Sequence, residues 1–76
     1  MKVLLIFHGS LKKYNDNRSE TEIQVPLGTT VGQLIANTGV PNEELAFAAV
    51  NGSRAPFSQT LQEGDEVKIY QLVGGG

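Results

Sequence analysis

Residues 3–7, Val-Leu-Leu-Ile-Phe, form an unbroken apolar run, whereas residues 20–25 alternate Glu20-Thr21-Glu22-Ile23-Gln24-Val25. An unbroken run of this length predicts a central strand with both faces at least partly covered. Strict alternation predicts a strand with one wet face. Between them residues 10–19 are polar and contain Asn15-Asp16-Asn17, which predicts a loop. The first two strands therefore make a hairpin, closed by Pro26 and Gly28.

Thr30-Val31-Gly32-Gln33 fits a capping box, in which the Thr oxygen takes the Gln33 amide and the Gln33 side chain reaches back. Val31, Leu34, Ile35 and Thr38 then fall on one stripe of a short helix. Gly39 suits the position just past the helix, and Pro41 prevents continuation. Gly32 in the first turn costs about 1 kcal/mol against Ala. A close helix–sheet approach is the expected reason.

Residues 45–50, Leu-Ala-Phe-Ala-Ala-Val, predict a third strand ending at Asn51-Gly52, a strong signal for a type I′ hairpin turn. Ser53-Arg54-Ala55 is a brief return strand stopped by Pro56. Leu61 reads as a buried anchor, and Glu63-Gly64-Asp65 as another turn. Residues 66–73 predict the final strand, with Val67 and Ile69 on one face and Lys68, Tyr70 and Leu72 on the other. Helix and sheet together imply a two-layer α+β unit. The first and last strands carry the longest apolar patterns, so they are expected side by side and parallel at the centre. The expected core is Val3, Leu5, Phe7, Ile23, Val25, Leu34, Ile35, Ala48, Val50, Leu61, Val67 and Ile69.

Seventy-six residues imply one domain, and a chain this small buries only about 60% of its unfolded surface. With no cysteine, neither disulfides nor thiolate metal sites support it. The net charge is −2, and Lys12, Lys13 and Arg18 lack the aromatic interleaving of a nucleic-acid surface. The longest apolar run is too short to cross a membrane. No nucleic acid, no membrane and a cytoplasmic location are the expectations.

The candidate chemistry gathers at the glycine end. Residues 1–73 are expected to form the folded body, and Gly74, Gly75 and Gly76 a flexible tail without side chains. From Leu72 such a tail spans roughly 13–14 Å when extended. Alternation also turns Leu4, Ile6, Phe47, Tyr70 and Leu72 outward, away from the helix, as a candidate docking patch for a partner. Other polar residues offer little. His8 has no acidic or thiol neighbour in sequence, so no metal site is expected. Ser10, Ser53 and Ser58 lack a base and an orienting group. Glu43-Glu44 reads as a solvated face, and Arg54 as a solvated cation or a contact for an acidic partner. No phosphate loop follows Gly28, because the Lys-Ser/Thr pair is missing. The body is expected to have little room for a ligand pocket of several hundred Å³, and the chain is not expected to be an enzyme.

Val50-Asn51-Gly52, Leu61-x-Glu63-Gly64-Asp65-Glu66-Val67 and Gly75-Gly76 occur in this order along the whole chain. In that arrangement the sequence resembles the ubiquitin-like β-grasp sulfur carriers of the ThiS/MoaD family. The resemblance implies a ββαββ β-grasp fold, a mixed sheet of four to five strands on one helix. It implies a carrier without catalytic side chains or bound cofactor. An E1-like adenylyltransferase uses ATP to activate the Gly76 carboxylate, a donor of the cysteine desulfurase or rhodanese type supplies sulfur, and the thiocarboxylate goes to a synthase. That synthase is thiazole synthase in the thiamine branch, or the large subunit in the molybdopterin branch. A carboxylate needs a leaving group before sulfur can enter, and a chain without cysteine has no evident place but its main-chain end to hold covalent sulfur. Departures from the family pattern are Gly74, the lack of prolines before the tail, and an unfamiliar loop over residues 12–19. The missing prolines and short length point to the thiamine branch. The alternatives are the molybdopterin branch and a ubiquitin-like modifier joined to lysines through Gly76.

Overall fold

The computed structural model describes residues 1–73, so the expected tail, Gly74 to Gly76, lies outside the described residues. Five strands form one mixed sheet: β1 (Lys2–Phe7), β2 (Glu20–Gln24), β3 (Leu45–Val50), β4 (Ser53–Ala55) and β5 (Glu66–Gln71), in the order β2-β1-β5-β3-β4. Among the described residues one α-helix, α1 (Val31–Ala36), packs on one face through Val31, Leu34 and Ile35. No helix among the described residues is long and apolar enough to cross a membrane.

The expected parallel pair is present. Leu5 lies beside Val67 and Phe7 beside Ile69, and none of the four is more than 3% exposed. Burying a side chain of this size is worth about 1.5–3 kcal/mol. On the far side of β5, Ala48 meets Ile69 and Val50 meets Val67 in antiparallel register. These inward residues make a continuous floor for the helix. Of the twelve expected core positions, Ile23 alone is only half-buried, because β2 is an edge strand with one neighbour. Leu11, Val31, Val40, Leu45, Ala49 and Ala55 are buried in addition.

The capping box forms as expected. Thr30 Oγ1 accepts from the Gln33 amide at 3.2 Å, and Gln33 Oε1 accepts from the Thr30 amide at 2.9 Å. Gly32 does mark a close approach, though not to the sheet. Its amide donates to the Phe57 carbonyl at 2.8 Å, and a Cβ there would stand 3.2 Å from the same oxygen. The neighbour is the loop after β4. A loop that approaches from far along the chain leaves no local trace in the helix sequence.

Asn51 and Gly52 both have positive φ, 52° and 88°, as a type I′ turn requires. The Asn51 side chain then reaches across to the other turn. Its amide donates to Asp65 at 2.9 Å, and its oxygen accepts from the Glu66 amide at 2.9 Å. The Asn-Gly and Glu-Gly-Asp signals therefore belong to one clasp at the start of β5.

Residues 10–19 do not form a simple loop. Gly9–Asn15 winds into a 3-10 helix and sinks Leu11 completely, at 0% exposure. One apolar residue in a polar stretch carries no periodicity to reveal this. The last strand also ends earlier than expected: pairing stops at Gln71, and Leu72 and Val73 are 57% and 70% exposed. Replacing Leu11 with Ala is expected to lower stability by about 2–5 kcal/mol. Urea unfolding checks this, and an unchanged midpoint would remove Leu11 from the core.

Candidate functional site

Strands β1, β5 and β3 lie side by side, and their outward residues meet on the face opposite α1. A bulge at Ala46 lets Leu45 point into the core while Phe47 points out. Phe47 pairs with Tyr70, and the rings stack with centroids 4.4 Å apart at 14°. Such pairs add about 0.5–1.5 kcal/mol beyond the area they bury. Leu4 and Ile6, half-buried, lie on the β1 side opposite Glu66 and Lys68. Leu72 stands just past β5. Four of the five candidate patch residues thus share the outer face as alternation requires, and the fifth extends beyond the strand.

The sequence reading missed how the patch is framed. Ala49 pairs with Arg54 on one side and Lys68 on the other. Its small side chain leaves room for both cations to lie over the aromatics. Arg54 stands 4.7 Å from the Phe47 ring centre and Lys68 Nζ 5.2 Å from that of Tyr70. Exposed cation–π contacts of this kind are worth about 0.5–1 kcal/mol. His8, exposed at the end of β1, sits 5.1 Å from Tyr70. An acidic chain therefore presents an aromatic pair flanked by positive charge. An alternating pattern containing Lys68 and Tyr70 was visible; the Phe47–Tyr70 stack and the Arg54–Phe47 contact depend on strand pairing and were not.

Beside this face a groove of about 460 Å³ opens along Ala46, Phe47, Arg54, Ala55, Pro56 and Phe57. It corrects the expectation of too little room for several hundred Å³. The bulge in β3 and the early stop of β4 at Pro56 create it, and it is an open depression rather than an enclosed pocket.

The root of the tail is held by two further groups. Gln71 Oε1 accepts from the Ser10 amide, and the Leu72 amide donates to the Glu44 carbonyl at 2.9 Å. Glu44 is not part of a solvated acidic face. Its carboxylate receives the Tyr14 hydroxyl at 2.5 Å and the Lys13 ammonium at 3.0 Å, while Glu43 alone stays exposed. Adjacent side chains diverge, so only one of the pair faces the 3-10 helix. The Tyr14 hydrogen bond and then Lys13 hold the Glu44 carboxyl below its ordinary range. The same carboxylate raises Tyr14 and Lys13 above theirs, in each case chiefly through its hydrogen bond.

Because Glu44 is depressed, its contribution to stability is complete above the ordinary carboxylate range and lost as pH falls through the folded value. Lys13 is raised, so its contribution is complete below the ordinary lysine value and lost as pH climbs through the folded one. The stability difference between the native chain and Glu44→Gln is therefore expected to shrink on acidification. Thermal melts across acidic pH check this; a constant gap would mean that the carboxylate carries no pH-dependent stability.

The sequence model of the ThiS family matches residues 5–76. The molybdopterin synthase sulfur carrier subunit of Mycobacterium tuberculosis is 32% identical over 82 aligned positions, covering 100% of this chain and 99% of the relative. Among solved structures, molybdopterin converting factor subunit 1 of Pyrococcus furiosus superposes with a TM-score of 0.80 at 24% identity, over 96% of this chain and 99% of that one. A chain from the complex of subunits 1 and 2 of the Helicobacter pylori molybdopterin-converting factor superposes with a TM-score of 0.66 at 20% identity, over the full length of both. These structures share the ubiquitin-like β-grasp fold, and Gly74, Gly75 and Gly76 fall within the matched family span. A match running from β1 through the glycines, together with a relative alike along its entire length, places this chain in the ThiS family of ubiquitin-like sulfur carrier proteins.

Proposed function

We propose that this chain carries sulfur as a thiocarboxylate on Gly76 and delivers it to the large subunit of a molybdopterin synthase. The observation behind this reading is full-length identity of 32% with a molybdopterin synthase sulfur carrier subunit. The Helicobacter pylori protein is itself found in complex with a second subunit. In the first step the Gly76 carboxylate attacks the α-phosphorus of ATP on an E1-like adenylyltransferase, and pyrophosphate leaves. The resulting acyl-adenylate has a good leaving group that the free carboxylate lacks. A persulfide sulfur from a desulfurase- or rhodanese-type donor displaces AMP. A thiol then frees the thiocarboxylate by forming a disulfide with the donor. Gly74 and Gly75 contribute by having no Cβ to obstruct threading into the partner's active site. ATP belongs to the activating enzyme, and the chain itself needs no bound cofactor.

The outer sheet face is the proposed dock. Stacked Phe47 and Tyr70, with Leu4, Ile6 and exposed Leu72, offer apolar contact area. Arg54 and Lys68 favour a partner surface edged with carboxylates. The match to the ThiS family keeps a second reading open, delivery to a thiazole synthase in the thiamine branch.

Intact-mass measurement after incubation with ATP, the cognate E1-like enzyme and a sulfur donor is expected to show one oxygen replaced by sulfur. An unchanged mass with a competent enzyme would overturn the carrier reading, and lysine-linked conjugates in its place would favour a modifier. Stable co-elution with a molybdopterin synthase large subunit, and none with a thiazole synthase, is expected; the reverse would assign the thiamine branch.

Tyr70→Glu is expected to preserve the folded spectrum while weakening binding to the activating enzyme by about tenfold or more, as for a residue at the centre of an interface. Titration calorimetry reads the effect. Unaltered affinity would move the dock elsewhere.

A further inference from the structure

Beyond Ile69, β5 loses its neighbour on one side. Pairing with β1 ends at Phe7 opposite Ile69, and the chain turns away at His8, whose amide still donates to the Ile69 carbonyl at 3.0 Å. What occupies the space next to Gln71 is the 3-10 helix Gly9–Asn15. The first amides of any helix lack an internal acceptor, and no side chain of the segment's own N-terminus supplies one here. The Ser10 amide instead donates to Gln71 Oε1, an acceptor lent by the end of β5. Gly9 makes this possible. A Cβ at position 9 would run into the Gln71 side-chain amide, and φ there is +61°, a conformation that disfavours any Cβ.

The other end of the same segment reaches the tail root by a different route. Tyr14 and Lys13 hold the Glu44 carboxylate, and the backbone carbonyl of Glu44 holds the Leu72 amide. Leu11, between the two grips, is fully buried and ties the segment to the core. Two consecutive residues at the end of the sheet are thus gripped from both ends of one short helix, although Leu72 and Val73 themselves are exposed.

We infer that the 3-10 helix Gly9–Asn15 is a clamp that sets where the glycine tail leaves the sheet, with Gln71 and Glu44 as positioning residues for activation of Gly76. The inference rests on the carrier reading for its purpose, though not for its geometry. A docked carrier delivers its carboxylate through a short segment, so the attack rate depends on how narrowly the root restricts that segment's reach. A frayed root would keep the docking face intact and spread the carboxylate over more positions. The clamp therefore acts on the chemical step, and the outer face on affinity.

Three variants separate these roles. Gln71→Leu keeps side-chain bulk out to Cδ and removes the acceptor, Tyr14→Phe leaves Glu44 held by Lys13 alone, and Gln71→Glu retains an oxygen for Ser10. Amide hydrogen exchange by NMR on the isolated chain is expected to show Leu72 exchanging about five-fold faster in the first two variants. Leu5 and Ile69 amides should stay protected, and Gln71→Glu should restore the native rate. With the E1-like enzyme, ATP–pyrophosphate exchange is expected to lose kcat about five-fold in Gln71→Leu while KM for the carrier holds. Unchanged Leu72 exchange would overturn the clamp. A loss confined to KM, or no loss with the native chain active, would overturn its positioning role. An inert native chain would instead count against the carrier reading, leaving the exchange data to decide the clamp.

Discussion

The parallel contact between β1 and β5 governs the rest of the molecule. It brings the first and last strands together at the middle of the sheet, with Leu5, Phe7, Val67 and Ile69 sealed beneath α1. Parallel neighbours need a long crossover between them, and here everything from β2 through β4 lies within that connection. The core is therefore closed only when the two ends of the sequence have met. A small chain without cysteine has no disulfide to stand in for this pairing. It also makes the strand that leads into the glycines a central strand rather than an edge.

A central last strand has two faces with separate tasks. Its inward residues belong to the core, and its outward residues, Lys68 and Tyr70, stand between β1 and β3. The bulge at Ala46 adjusts the phase of β3 so that Phe47 reaches Tyr70 without withdrawing Leu45 from the core. Ala49 does the same for charge, since a larger residue there would compete with Arg54 and Lys68 for the surface above the rings. Small irregularities in β3 thus shape the surface that β5 displays.

Much of this was legible in the residues. Period-two alternation located Tyr70 and Val67 on opposite faces, the capping box marked the helix start, and Asn51-Gly52 announced its turn. Those signals are local, and local chemistry leaves local patterns. What escaped detection was tertiary. Leu11 is a lone apolar residue without a period, Gly32 answers to the distant Phe57 carbonyl, and Glu44 resembles its exposed neighbour Glu43 until Tyr14 and Lys13 are brought across to it. The end of β5 at Gln71 was equally hidden, because Leu72 continues the alternation after pairing has stopped.

The two borders of the sheet are unlike its centre. β2 runs along one border with Glu20 and Glu22 facing out, and β4, only three residues long, closes the other at Pro56. Charge, brevity and proline each discourage a foreign strand from adding itself there. What stays open is the broad side of the sheet, where contact would be made by side chains alone, with no main-chain ladder to break. For the carrier role proposed above, such a surface can be gripped firmly enough for chemistry and still let go.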